Sequence, residues 1–336
     1  MFHVKHQTSI YNEVISMSKK SKFSKALLFG TCTAGVITII NKLISINASK
    51  SLFPTDETLK ETYSWRFGDI SYTKSGHGKP LLLIHDLKTA SSSYEWHKII
   101  KTLAKNHTVY ALDLLGCGNS EKPNLTYTNF LYVQLLTDFI KNVIGRRTDV
   151  AASGASCSFV ITACNNNESL FDKLILINPD SVLRCSQTPN HYVKLYKFFL
   201  DLPVIGTLIY NIANSRRSIT EKFLTENYAN PCRIDPETIK IYHEMAHRND
   251  PYGKALYASI KSNYTNLPIT NALKNIDQSI YLICGEYEPQ HEELLREYTA
   301  INPAAEGVVL KETAHLPQLE DSKAAAELIE DFLNER

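Results

Sequence analysis

Charge of one sign is what this chain has least of in excess: 36 Lys and Arg stand against 35 Asp and Glu, a formal net charge of +1 over 336 residues. Nothing in that balance attracts a polyanion, and no Lys/Arg run interrupts the body, so nucleic acid is not expected as a partner. Cysteine is sparse and unpatterned. Seven copies, at 32, 117, 157, 164, 185, 232 and 284, form no CxxC pair and no His-rich cluster. That argues against a zinc site, and the odd count argues against a disulfide framework. Internal repeats and low-complexity tracts are missing too. What is present is a composition 43% hydrophobic and 21% charged, that of a globular chain with a large core.

The first fifty residues are of another kind. Lys19, Lys20, Lys22 and Lys25 precede a largely apolar stretch, Ala26–Ile46, whose one charged residue is Lys42. About 20 apolar residues suffice to cross a bilayer core, with Lys42 snorkelling to the interface. The expectation is a single-pass anchor at the cell membrane over residues 1–50, with the basic flank inside and the main domain outside. A cleaved signal peptide is the alternative, although Ile46-Asn47-Ala48 makes a poor cleavage site. Met17 is a possible true start.

From about Thr58 the pattern becomes regular. Tyr63–Phe67 and Asp69–Thr73 read as short strands, and Leu81–Ile84, Val109–Asp113, Asp149–Ala152, Leu174–Ile177, Ile280–Ile283 and Gly307–Leu310 as further ones. Helical spacing over Tyr94–Leu103 makes a βαβ unit, so the class is α/β with a doubly wound, mostly parallel sheet. Residues 58–180 and 273–336 are its core. Between them, residues 181–272 hold no convincing strand but five helical patterns: Tyr192–Leu200, Ile205–Ala213, Ile219–Tyr228, Pro236–His247 and Tyr252–Ser262. A helical insertion just before a site-bearing strand reads as a cap.

The chemistry concentrates at strand ends. Glu288 stands on the turn leaving the strand Ile280–Ile283, and His315 on a later loop before an amphipathic C-terminal helix. Acid then histidine, in that order, calls for a nucleophile upstream. After Asp149-Val150-Ala151-Ala152 comes Ser153-Gly154-Ala155-Ser156-Cys157-Ser158, which fits a Gly-x-Ser-x-Gly turn in two registers. One puts Ser156 at the nucleophile position; the other, Ser153-x-Ala155-x-Cys157, puts alanine there.

With these motifs the chain resembles the α/β-hydrolase superfamily, in its capped form, over roughly residues 60–334. Leu83-Ile84-His85-Asp86-Leu87 resembles the family's His-Gly loop, and Asp113-Leu114-Leu115-Gly116-Cys117-Gly118-Asn119-Ser120 its Asp-x-x-Gly-x-Gly-x-Ser turn. The resemblance implies Ser156 as nucleophile, His315 as base and Glu288 as the acid that orients it, with Asp180 in reserve. It also implies an oxyanion hole from the backbone N–H groups of Leu87 and Cys157. Asp86, where the family carries glycine, would oppose an oxyanion. The function implied is a serine esterase or lipase-like hydrolase working through an acyl-enzyme on a small ester or acyl substrate, without a cofactor or metal. The alternative is a catalytically silent hydrolase fold used for binding or sensing.

Overall fold

The computed structural model describes residues 35–44, 60–248 and 252–335. The chain divides into two units, residues 1–46 and 47–336. In the first, the described part is one apolar helix, Gly35–Ile44, which covers half of the expected anchor and is shorter than a bilayer crossing requires. Among the described residues no single helix is long and apolar enough to cross a membrane. The lysine flank and the rest of Ala26–Ile46 lie outside the described residues.

The second unit is built on eight strands: β1 (Lys60–Trp65), β2 (Gly68–Ser75), β3 (Lys79–Ile84), β4 (His107–Leu112), β5 (Thr148–Ser153), β6 (Phe171–Ile177), β7 (Ile280–Gly285) and β8 (Ala305–Leu310). They form one sheet in the order β1-β2-β4-β3-β5-β6-β7-β8. β1, β2 and β4 pair antiparallel, and every pairing from β4 to β8 is parallel. All eight expected strands are present, most with ends shifted by one to three residues.

Period-two alternation sends neighbouring residues into opposite layers. Leu82, Ile84, Val150, Ala152, Leu174, Leu176 and Leu282 join one core, which continues into the helices Asn129–Phe139 and Ser156–Asn166. Leu81, Leu83, Ala151, Ile175, Ile177 and Ile283 join the other, against Trp96, Ile99 and Leu103 and the C-terminal helix residues Ile329, Phe332 and Leu333. Strands covered on both faces read as unbroken apolar runs, as these do.

The helical insertion between β6 and β7 is present. It comprises Val182–Cys185, His191–Asp201, Ile205–Ala213, Arg216–Lys222, Pro236–His247 and Gly253–Lys261. The pattern over Ile219–Tyr228 resolves into the helix Arg216–Lys222 and a wider π-turn, Phe223–Asn227. Ile219, Phe223, Tyr228, Ile239 and Tyr242 pack with Leu316 and Leu319, beside His315. The insertion therefore packs against the segment that follows His315.

Chain order reverses direction between β3 and β5, since β4 lies on one side of this pair and β6 on the other. Crevices at such switch points hold the sites of open α/β sheets. Leu176 is fully buried near the C-terminal end of β6, so Leu176→Ala should cost about 2–5 kcal/mol. A urea titration showing a lower midpoint at unchanged slope checks it.

Candidate functional site

The parallel register pairs Ile84 with Ala152. Two residues further along, each chain leaves the sheet, and Asp86 comes to lie against Gly154. β5 hands over to its helix through one residue in the left-handed region, Gly154, at φ +57°. Its N–H donates to the Ile177 carbonyl at 2.9 Å; Ala155 is already right-handed and the helix starts at Ser156. The elbow thus turns at Gly154, in the register Ala152-x-Gly154-x-Ser156, which neither sequence reading contained.

That placement corrects the nucleophile. Ser156 is fully buried in the first helical turn, and its Oγ donates to the His85 carbonyl at 2.7 Å. It does not meet His315. Cys157 also differs from expectation: its N–H donates to the Gly154 carbonyl at 3.1 Å, closing the turn rather than facing a substrate. The N–H of Ala155, next after the turn, donates to Asp86 Oδ1 at 2.9 Å. Leu87, the other expected contributor, directly follows Asp86 on the same loop.

Asp86 fills the space that an elbow side chain would take. A Cβ built on Gly154 would overlap the Asp86 carboxylate, at Oδ1 and Cγ. With φ positive and the carboxylate there, glycine is the one residue that fits. Asp86 Oδ2 receives the Lys88 ammonium at 2.9 Å and lies 3.3 Å from His315 Nε2. Its own N–H donates to Glu95 Oε2 at 3.0 Å, and Tyr242 from the insertion donates to Glu95 Oε1 at 3.3 Å. Burial pushes the Glu95 carboxyl up.

His315 and Glu288 meet as expected, with Nδ1 3.1 Å from Glu288 Oε2. The imidazole is therefore held between two carboxylates, Glu288 at Nδ1 and Asp86 at Nε2. Asp180 takes no part in this contact and pairs with Arg184 at 3.0 Å instead. Burial and the Lys88 charge disfavour the imidazolium, but the bonds to Asp86 and Glu288 outweigh them and push His315 up to about 9. Burial would raise Asp86, yet the Lys88 charge and the His315 bond hold its carboxyl well below the usual range.

Two further residues, not singled out by the sequence, fix the histidine loop. Asn178, left-handed at φ +43°, follows β6. Its amide nitrogen donates to the carbonyls of Ala314 at 3.0 Å and His315 at 2.9 Å, while its oxygen accepts from Gly285 N–H at 2.9 Å. Glu320, buried, accepts from the N–H groups of Ala314 at 2.9 Å, Ala229 at 3.0 Å and Asn230 at 2.8 Å. It ties the same loop to the insertion. Among the described residues no group of three or more His, Cys, Asp or Glu side chains is arranged to hold a metal ion.

Comparison with known proteins places the fold. Residues 81–328 match the sequence model of the alpha/beta hydrolase family. Over 71 residues the chain is 39% identical to 2-hydroxy-6-oxo-6-(2'-aminophenyl)hexa-2,4-dienoic acid hydrolase of Metapseudomonas resinovorans, covering 21% of this chain and 24% of that protein. Over 283 residues it is 23% identical to proline iminopeptidase of Heyndrickxia coagulans, covering 80% and 96%. The solved structure of the epoxide hydrolase CorEH superposes with a TM-score of 0.68 at 16% identity, covering 81% of this chain and 97% of that one.

Two outcomes are expected. Charged His315 contributes stability in full below its unfolded value of about 6.5, and that contribution is lost as pH rises through the folded value of about 9. Urea unfolding free energy should therefore fall between these values in the wild type and fall less in His315→Gln. Secondly, Gly154→Ala should cost about 1–3 kcal/mol through strain and overlap. Adding Asp86→Gly removes the overlap, so the double variant should be more stable than the two single effects summed, by more than about 0.5 kcal/mol.

Proposed function

Because the chain belongs to the α/β-hydrolase family, we propose that it hydrolyses a small molecule at the Asp86–His315–Glu288 centre. One observation carries the reading: Glu288 holds His315 at Nδ1, and Nε2 faces Asp86 Oδ2 at 3.3 Å beside the elbow. An acid on one nitrogen fixes the tautomer and supports the charge that forms when the other takes a proton. His315 is then the general base toward water. The Ala155 N–H, directed into the same space, supplies stabilisation to a developing oxyanion.

The acyl-enzyme route through Ser156 finds no support, because that hydroxyl is committed to His85. The family covers several bond types, and fold alone does not choose among them. A second reading, a binding protein without catalysis, is favoured by the bare Gly154 and by the ion pair that occupies its place.

Purified protein offered p-nitrophenyl acetate, a lactone and styrene oxide separates the two. Hydrolysis of at least one should occur, and His315→Gln should lower kcat by about 100-fold or more. Ser156→Ala should leave kcat within a few-fold of wild type. Turnover that survives His315→Gln would remove the histidine from the chemistry. Ligand-induced stabilisation with no turnover of any of the three would favour the binding protein.

A further inference from the structure

We propose that the helical insertion binds an anionic lipid surface through two of its helices, His191–Asp201 and Ile205–Ala213, whose apolar stripes face outward. The proposal concerns a surface and is independent of the chemistry at His315.

Both helices are inverted relative to an ordinary surface helix, which turns its apolar stripe to the core and its charge to water. On the first, Tyr192, Leu195, Tyr196 and Phe199 recur at the i, i+3, i+4, i+7 spacing of one helix face. All four are exposed, Tyr192 at 81%. Leu200 is the one buried residue of this helix. A charged side chain lies on the covered side instead: Lys197 is largely shielded, pairs with Asp201 at 2.7 Å and sits 5.8 Å from the centre of the Tyr264 ring. On the second helix Ile205, Leu208, Ile209 and Ile212 repeat the spacing. Ile205 and Ile212 are exposed, and the two between them are half-buried. What this helix buries is Gly206, Tyr210 and Asn211. The Tyr210 hydroxyl donates to the Ala246 carbonyl, and its ring meets Tyr257 edge-on at 6.0 Å.

Packing holds the stripes in this orientation. Gly206 lies so close to the Leu200 carbonyl that a Cβ there would overlap it, which fixes the corner between the helices. Lys254 donates to the carbonyls of Asp201 at 3.4 Å and Leu202 at 3.2 Å, tying the end of the first helix to the helix Gly253–Lys261. The polar inner faces are satisfied, so rotating either stripe inward would break these contacts.

Lipid is the occupant that these features fit. Together the two helices have the length and hydropathy of a bilayer-spanning segment, but they meet at 97°. With their inner sides packed on the domain, they can enter a lipid surface by one face only, as interfacial helices do. Charge points the same way. Residues 180–222 hold six Lys and Arg against three Asp and Glu, in a chain whose total is +1. Asp180 and Asp201 neutralise Arg184 and Lys197. Lys194 on the first helix, and Arg216 and Arg217 just past the second, are exposed. Anionic headgroups complement that excess, whereas a second copy of the chain would set it against itself. A further exposed stripe of the same spacing, Val36, Ile39, Ile40 and Leu43, lies on the helix Gly35–Ile44 of the first unit. Lipid receives both stripes without a matched protein surface for each.

The test uses the full chain and phosphatidylcholine vesicles with and without phosphatidylglycerol. Wild type should float with the anionic vesicles and be released as salt is raised. Phe199→Trp, in the first stripe, should be quenched by lipids brominated in their acyl chains, above the background of the buried Trp65 and Trp96. His77→Trp, exposed in the turn before β3, should not be. Replacing Leu195, Phe199, Ile205 and Ile212 together by serine should weaken binding to anionic vesicles about tenfold or more, with Tm little changed because these side chains are exposed. Vesicle-bound protein without quenching at position 199, or binding undiminished in the serine variant, would assign attachment to the first unit and overturn the proposal. Wild type that floats with neither vesicle would overturn it too, and a dimer in sedimentation that the serine variant dissolves would then give the stripes to a second copy. Should the serine variant misfold, the quenching pair decides alone.

Discussion

One exclusion organises the site: the Asp86 carboxylate and a side chain at position 154 cannot occupy the same space. The strand register sets up the conflict, since Ile84 opposite Ala152 brings the two following loops together. Glycine at the elbow resolves it. The two departures from the family pattern, aspartate in one loop and glycine in the other, are therefore one substitution in physical terms. Either alone would leave a clash or a hole.

A buried carboxylate in that position must be compensated, because an unpaired charge removed from water is costly. Asp86 receives the Ala155 N–H, the Lys88 ammonium and the His315 imidazolium. Glu288 balances the second positive charge. Two anions and two cations make a neutral cluster, and each member's protonation depends on the others.

The histidine's position is secured from outside the cluster. Asn178 binds the ends of β6 and β7 to the His315 loop, and Glu320 binds that loop to the insertion. Packing of Leu316 and Leu319 under Phe223 and Tyr242 closes the same region with apolar contact. Rigid support of this kind keeps Nε2 on target without the substrate's help.

Apolar runs and turn residues carried the architecture in the sequence: the strands, their parallel order and the helical insertion all follow from hydrophobic periodicity, a local property. The pairing of Glu288 with His315 was legible for a similar reason, since both sit just past strands whose order is set by the fold. The elbow was not. Ser153, Ala155, Ser156 and Cys157 are all small, and which of five adjacent residues turns the chain depends on where β5 stops pairing with β6, here at Ser153 opposite Ile177. Asp86 stood in the sequence as an obstacle to an oxyanion. Only its contact with Gly154, 68 positions away in the chain and adjacent through β3–β5 pairing, turned the obstacle into the occupant of the site. Local pattern determines which elements form; which side chain fills the elbow is decided by the loops that the register brings face to face.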